Sequence, residues 1–175
     1  KYRVSQNDLE NMQKMLKANF MNNSEKTEDK LSLGCILNVM DGILENHLLG
    51  NHLWANGKAL CFAGAFFEGN EAAQWLKLGL HILRGQLSEQ CLSDGGHFER
   101  SPMYHSIFLD DILDLLYLYK LEPLLFSQDW AVDLEDSAKA MLNWLICMTH
   151  QDGNISFFND STLDIAAPLQ TLLKD

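Results

Sequence analysis

The densest ionisable chemistry in this sequence lies in Asp94–His105, which reads DGGHFERSPMYH. Its Ser-Pro pair at residues 101–102 is a typical N-cap and first helical residue, so Tyr104 is expected in the first turn of a helix. Positive charge from the neighbouring Arg100 and His97 would lower the pKa of a tyrosine hydroxyl from its usual value of about 10. A phenol placed in this way suits proton transfer. A tyrosine that packs into the fold with a satisfied hydroxyl fits the same residues.

A second polar cluster lies where Gly50 ends one predicted helix and Asn51 begins the next, in the stretch GNHLWANGKAL. Asn51 is placed as an N-cap, and His52 falls in the first turn. An amide and an imidazole beside the free N–H groups of a helix N-terminus suit the binding of an anionic group. A simple cap followed by a polar surface histidine is the alternative interpretation.

Metal binding and glycoside hydrolysis are two other chemistries to consider for residues of this sequence. The side chains that could be combined as metal ligands are His47, His52, His97, Glu99 and His105. They show neither HExxH nor another short ligand spacing, so we predict no metal and no other cofactor. A carboxylate pair for a glycosidase could come from Asp110, Asp111 and Asp114. Asp110 and Asp114 share one helix face, which is the pattern of a solvated surface.

Apolar residues recur at helical spacing in six segments, and none shows the alternation of a β-strand. The segments are a helix after Ser5, one through Leu33–Leu48, and four at about Asn51–Phe67, Glu71–Gln90, Ser101–Tyr119 and Val132–Thr149. The third is apolar nearly all round, which predicts a helix buried on every side. The predicted fold class is all-α.

Two loops between these helices resemble each other. SDGGHFERS follows the fourth helix and QDGNISFFNDS follows the sixth. Each has Asp-Gly, then an aromatic residue, then a serine placed to cap the next helix. Recurring loops between paired helices predict αα hairpins in an arc of an incomplete (α/α) toroid, with a cleft where the loops gather. Gly95 and Gly96 are expected to bring the backbone close to a ligand there.

Composition limits the class of protein and its partners. The 175 residues are 47% hydrophobic and carry a net charge of -11, which predicts a packed core and no nucleic-acid partner. We expect residues 1–175 to form a single fragment of a toroid domain. The longest apolar run, Ala59–Phe67, is too short to span a membrane, and no signal peptide is visible. The four cysteines form no CxxC pair and are predicted to be buried thiols.

Three stretches resemble the heparinase II/III-like family of polysaccharide lyases, which includes some alginate lyases. They are HLLGNHLWANGKALCFAGAFF, DGGHFERSPMYHSIFLDDILDLL and, more loosely, FFNDS. The resemblance implies an incomplete αα toroid followed by an antiparallel β-sandwich region, and the latter is expected to be absent from these 175 residues. It also implies cleavage of acidic polysaccharide by β-elimination at a uronic acid.

The resemblance assigns roles to residues of both clusters. Tyr104 matches the catalytic tyrosine, which donates a proton to the leaving oxygen and, in syn elimination, also takes the C5 proton. Asn51 and His52 neutralise the uronate carboxylate, and His52 is the alternative base in an anti elimination. Substrate-binding positions are then Arg100, His97, Glu99, His105 and Asn159.

The resemblance also implies partners and a location. The expected partners are a heparan sulfate-like, alginate-like or other uronate polymer and the β-sandwich region, which supplies a further histidine. The predicted site is incomplete without that histidine. A periplasmic or secreted location is expected, although unpaired cysteines also fit the cytoplasm. The alternatives are a glycoside hydrolase on an αα toroid, with Glu99 or an aspartate as acid, and a non-catalytic carbohydrate-binding fragment.

Overall fold

The computed structural model describes residues 51–67 and 69–174, and these residues are mostly helical. The helices are α1 Asn51–Phe66, α2 Asn70–Gln90, α3 Pro102–Leu121, α4 Gln128–Cys147 and the short α5 Leu169–Leu172. β-Pairing in this part of the chain is limited to two isolated bridges. The predicted all-α class is therefore confirmed. The first two predicted helices lie outside the described residues.

The chain divides into two compact units between Arg84 and Gly85, inside α2. Each unit is described by itself below. The prediction of a single toroid fragment over residues 1–175 stays a prediction.

In the first unit, α1 and α2 pack closely because small residues line their contact. A Cβ atom added at Gly57 would lie 3.0 Å from the side chain of Leu83, and one at Gly64 would lie 2.7 Å from Cβ of Leu76. A Cβ at Gly79 would lie 2.7 Å from the carbonyl oxygen of Gly57. Glycine alone permits such an approach of two backbones. Since early residues of α1 meet late residues of α2, the pair is the predicted antiparallel hairpin.

Burial covers only part of the circumference of α1. Trp54, Leu60 and Cys61 are buried, whereas Phe62 and Phe66 are exposed. The prediction that this helix is buried on every side is therefore wrong. The prediction rested on the mostly apolar composition of the helix. Composition alone does not show on how many sides a helix has neighbours.

In the second unit, α3 and α4 pack against each other and each begins at a serine cap. Ser101 accepts a hydrogen bond from the backbone of Tyr104, as predicted. Ser127 caps α4 in the same way, so this helix begins at Gln128, earlier than the predicted start at Val132. The buried residues that join the two helices include Phe108, Leu109, Ile112, Leu134, Met141 and Leu145.

The loops after α2 and α4 have the same backbone hydrogen bonds at a constant separation along the chain. In the first loop the N–H to C=O bonds are Leu92 to Gly96, Gly95 to Leu92 and Phe98 to Gln90. The matching bonds in the second loop are His150 to Asn154, Gly153 to His150 and Ser156 to Met148. In both loops an aspartate side chain, Asp94 or Asp152, accepts the N–H of the residue two positions later. The predicted recurrence of the loops is confirmed. The toroid arc that it suggests stays a prediction.

The two glycines of the first loop come close to protein, where a ligand was predicted. A Cβ atom at Gly95 would overlap the carbonyl oxygen of Ala140, and one at Gly96 would lie 2.8 Å from Nε1 of Trp144. Both partners belong to α4. The Gly-Gly pair therefore seats this loop on the helix hairpin.

Gly95→Ala is expected to destabilise the full-length protein much more than Gly153→Ala. Both glycines have a left-handed backbone, with φ of 83° and 88°, so both substitutions incur about 1–2 kcal/mol of backbone strain. Only Gly95 also meets a neighbour, since nothing lies within 4 Å of a Cβ at Gly153. Overlap in a packed site adds about 1–3 kcal/mol. Equal shifts of the thermal unfolding midpoint in the two variants would contradict this packing.

Candidate functional site

A cavity of about 420 Å³ lies within the second unit, beside the two recurring loops and the end of α4. Its lining combines both charge signs, an amide and aromatic rings. The lining residues that matter below are Asp94, His97, Arg100, Trp144, Phe158 and Asn159. Of the eight residues predicted to form a site, the structure places Arg100, His97 and Asn159 at this one cavity.

Arg100 and Asn159 hold each other in unusual backbone conformations. Their φ angles are 54° and 49°, in the left-handed region that non-glycine residues seldom occupy. Nδ2 of Asn159 donates to the carbonyl oxygens of Glu99, at 2.8 Å, and of Arg100, at 3.2 Å. The N–H of Arg100 donates to the carbonyl oxygen of His97 at 2.9 Å. Both loops are thus fastened together where the arginine enters the cavity lining.

A chain of hydroxyl groups connects the start of α3 to the second loop. The N–H of Tyr104 donates to Oγ of Ser101 at 3.3 Å, and Oγ of Ser101 lies 2.9 Å from Oγ of Ser161. Ser161 donates to the carbonyl oxygen of Phe158, so Ser101 is the donor between the two serines. Ser161 also accepts the N–H of Met103 at 3.4 Å. The prediction that Ser161 caps a following helix is wrong. Its hydroxyl instead bonds Ser101 and Met103 at the N-terminus of α3.

Two buried histidines join the first loop to both helices of the hairpin. The backbone N–H of His97 donates to Nδ1 of His105 at 3.2 Å. That nitrogen is therefore an acceptor, and Nε2 of His105 carries the proton that it donates to the carbonyl oxygen of Met141 at 3.0 Å. Both histidines have no exposed surface.

A relay of side-chain amides fixes the tautomer of His97. The carboxylate of Glu89 can only accept, so Nε2 of Gln86, 2.8 Å away, is the donor. Gln86 then accepts from Nε2 of Gln90 at 2.6 Å, which leaves Oε1 of Gln90 to accept from Nε2 of His97 at 3.0 Å. Every donor in the relay points towards Glu89. His97 is consequently the Nε2–H tautomer.

Burial keeps both rings neutral. It lowers the pKa of His97 to about 4, and the neighbouring His105 lowers it further. Burial likewise lowers the pKa of His105 to about 4, against the opposite effects of the Met141 carbonyl and the Asp94 charge. His97 therefore brings no positive charge to Tyr104, contrary to the prediction. Both side chains are buried and bonded to protein, and His97 also lies at the cavity lining, so their contact with substrate stays a prediction.

The other predicted site residues lie in both units. Tyr104 is half-buried in the first turn of α3 and does not line the cavity, and Glu99 is half-buried in the first loop. Asn51 is the first residue of α1, and His52 beside it is exposed. Because this pair belongs to the first unit, its convergence with Tyr104 in one cleft stays a prediction.

Sequence reasoning missed Trp144 and the glutamine relay. Trp144 lines the cavity and stacks on His105, with ring centroids 4.5 Å apart and planes at 25°. Its position near the end of α4, just before a recurring loop, was the available signal. Gln86 and Gln90 share one helix face directly before the Gly-Gly loop, a spacing that permits a side-chain hydrogen bond.

Possible metal ligands and cysteine thiols can be located within the described residues. No three His, Cys, Asp or Glu side chains there are grouped to hold a metal ion. Burial raises the pKa of the Cys61 thiol to about 12, as expected of a buried thiol. Cys147 is exposed, which corrects the prediction that all four thiols are buried. In this part of the chain, every helix is too short or too polar to cross a membrane.

Comparison with known proteins identifies the family of this chain. The profile described as "Heparinase II/III N-terminus" matches residues 8–174. The chain therefore belongs to the heparinase II/III family of polysaccharide lyases, which confirms the resemblance seen in the sequence.

Individual relatives match a shorter part of the chain. A heparin-sulfate lyase of Bacteroides stercoris is 30% identical over 115 residues, or 65% of this chain and 17% of that protein. Those of Pedobacter heparinus and Bacteroides thetaiotaomicron are 30% identical over 113 residues and 29% identical over 120 residues, each covering 64% of this chain and 17% of the relative. The chain thus corresponds to a small part of each relative's length. No solved structure matches it.

The two neutral histidines predict a loss of stability in mild acid. Each pKa is about 4 in the folded protein and about 6.5 when unfolded, so the unfolded state takes up protons first as the pH falls. Their contribution is complete above pH ~6.5 and is lost as the pH falls towards about 4, by about 2 kcal/mol per histidine between pH 7 and 5. Urea unfolding at the two pH values measures it.

His105→Gln should remove about half of this pH dependence, whatever it does to stability at pH 7. Nuclear magnetic resonance provides an independent check on the unmodified protein. The ring signals of His97 and His105 should stay those of Nε2–H tautomers from pH 7 to 5. A protonation midpoint near 6.5 for either ring would show that it is not held neutral.

Proposed function

We propose that the full-length protein cleaves uronic-acid-containing polysaccharide by β-elimination. The family supports this, as do the relatives named heparin-sulfate lyase. The structural observation that carries the proposal is the placement of Tyr104. Its backbone N–H donates to the cap residue Ser101 at the start of α3. Arg100, the residue before Ser101, lines a polar cavity.

The reaction has one electrostatic requirement that Asn51 and His52 are suited to meet. The C5 proton of a uronate is weakly acidic, and its removal puts a second negative charge on the neighbouring carboxylate. Hydrogen-bond donors aimed at the carboxylate oxygens stabilise this charge as it develops. The amide of Asn51 and the ring of His52 lie at the N-terminus of α1, and the N-terminus of a helix favours an anion.

Tyr104 is proposed as the proton-transfer group. It donates a proton to the glycosidic oxygen as that bond breaks, and in a syn elimination it first accepts the C5 proton. Because His97 is neutral and buried, Arg100 is the neighbouring cation in the sequence that can attract the polyanion. In an anti elimination His52 takes the role of base, and Tyr104 keeps the role of acid.

Substrate class and context follow from the same proposal. Heparan sulfate-like polymers are the first choice because of the relatives' names, and alginate-like polymers are the second. Arg100, Glu99 and Asn159 are the proposed contacts with sugar in this part of the chain. A histidine from a β-sandwich region completes the site, and export to the periplasm or the medium stays a prediction.

Tyr104→Phe should abolish elimination in the full-length enzyme while substrate binding stays nearly intact. The ring still occupies its place, but the hydroxyl that moves protons is lost. General acid–base help is worth about 10²–10⁴-fold, and the loss should exceed this range if Tyr104 serves as both base and acid. Ultraviolet absorbance of the C4–C5 double bond measures turnover, with binding measured separately on heparan sulfate and alginate.

Tyr117→Phe is the matched control, because Tyr117 is an exposed tyrosine on the same helix. Its turnover should equal that of the parent. Wild-type turnover in Tyr104→Phe would make that tyrosine structural and the mechanism wrong. New reducing ends without ultraviolet absorbance would identify a hydrolase, and sugar retention without either signal would identify a binding protein.

Asn51→Ala should reduce turnover by a different route. It removes a donor to the developing dianion, a loss of about 10²–10³-fold by analogy with oxyanion-hole donors. The ground-state affinity for substrate should change much less, since the second charge appears only as the proton leaves. A loss confined to affinity, with turnover at saturation unchanged, would remove Asn51 from this role.

A further inference from the structure

The cavity in the second unit has chemistry that the proton-transfer step does not use. It combines an arginine, a carboxylate, an amide and two aromatic residues, and Tyr104 is not part of its lining. Its volume, about 420 Å³, lies within the range of small-ligand pockets. Resting on the proposed function, we infer that it is a sugar-binding subsite for one pyranose residue that bears an anionic substituent, next to the residue that is cleaved.

Arg100 supplies the anion site. Its side chain is exposed and forms no ion pair within the described part of the chain. Its backbone is nevertheless held at a φ of 54° by bonds to His97 and Asn159, a conformation that is strained for a residue with a Cβ atom. Strained residues that the surroundings hold in place cluster at ligand sites. A guanidinium binds a sulfate or a carboxylate through two parallel hydrogen bonds.

The aromatic residues supply a surface for the apolar face of a sugar ring. Phe158 lines the cavity although 54% of its surface is exposed to solvent, and Trp144 lines it from α4. His105 stacks on the indole of Trp144 and steadies it. Rings with an apolar body beside polar groups are typical of such sites.

Asp94 and Asn159 supply acceptors for sugar hydroxyl groups. Oδ1 of Asp94 accepts one backbone N–H, from Gly96 at 2.9 Å, and a carboxylate has further acceptor positions. Nδ2 of Asn159 is used by the Glu99 and Arg100 carbonyls, so its amide oxygen is the atom left for a ligand. One cation and several acceptors match a sugar with one anionic substituent and free hydroxyls.

Two substitutions test the subsite without disturbing the fold. Arg100→Gly removes the guanidinium and also suits the left-handed backbone, so the variant should keep its stability. Phe158→Ala removes an exposed ring. The matched controls are Lys139→Ala, an exposed cation paired with acidic neighbours on α4, and Phe157→Ala, the adjacent exposed phenylalanine that does not line the cavity.

Binding is measured by calorimetry on the full-length protein in a Tyr104→Phe background, which keeps any turnover slow. The probes are heparan-type oligosaccharides of equal length, with and without sulfate groups. Arg100→Gly should weaken binding by about tenfold to 100-fold, as expected for a lost bond to a charged group. Phe158→Ala should weaken it by about three- to tenfold, while both controls bind as the parent does.

The two probes identify the anion, and turnover separates this inference from the proposed function. A loss confined to the sulfated probe assigns sulfate to Arg100, and an equal loss on both assigns the carboxylate. Parental affinity in Arg100→Gly or in Phe158→Ala overturns the subsite, even if the parent enzyme shows β-elimination. The expected losses in a parent without elimination would support the subsite and overturn the proposed function.

Discussion

The hydrogen bond from the backbone N–H of His97 to Nδ1 of His105 joins the first loop to the helix hairpin of the second unit. Through it the first loop is attached to α3, and through the Met141 carbonyl the same ring is attached to α4. The bond requires an unprotonated Nδ1, which burial maintains by lowering the pKa of His105. Arg100 and Tyr104 lie in the segment that this bond anchors.

The two recurring loops have the same backbone pattern but contact different parts of the second unit. In the first, glycines at the turn allow it to lie on α4, against Ala140 and Trp144. In the second, the equivalent Gly153 faces open space, and the loop reaches across through Asn159 to bond the first. Their contact holds an arginine in a strained conformation at a cavity. The two loops therefore share a backbone pattern and differ in what their residues contact.

Local rules predicted what local chemistry determines, and tertiary packing decided the rest. The start of α3 was predictable because Ser101 and its proline are self-sufficient signals of a helix start. The start of α4 was placed too late, although Ser127 is a typical cap and the buried face of the helix already begins at Trp130. His97 was predicted to bind substrate because of the family resemblance and its place in the Asp94–His105 stretch. Its burial depends on Gln90 and α3, which only the folded chain brings to it.

We propose that Asn51, His52 and Tyr104 act on one uronate while the neighbouring sugar occupies the cavity at Arg100. A crystal structure of the full-length Tyr104→Phe protein with a bound heparan-type oligosaccharide tests this most directly. We expect a uronate carboxylate within hydrogen-bond distance of Asn51 and His52. We also expect the ring at position 104 beside the adjoining glycosidic oxygen, and an anionic group on Arg100. An oligosaccharide bound at Asn51 with residue 104 directed elsewhere, or with the Arg100 cavity facing away from the chain of sugars, would contradict it.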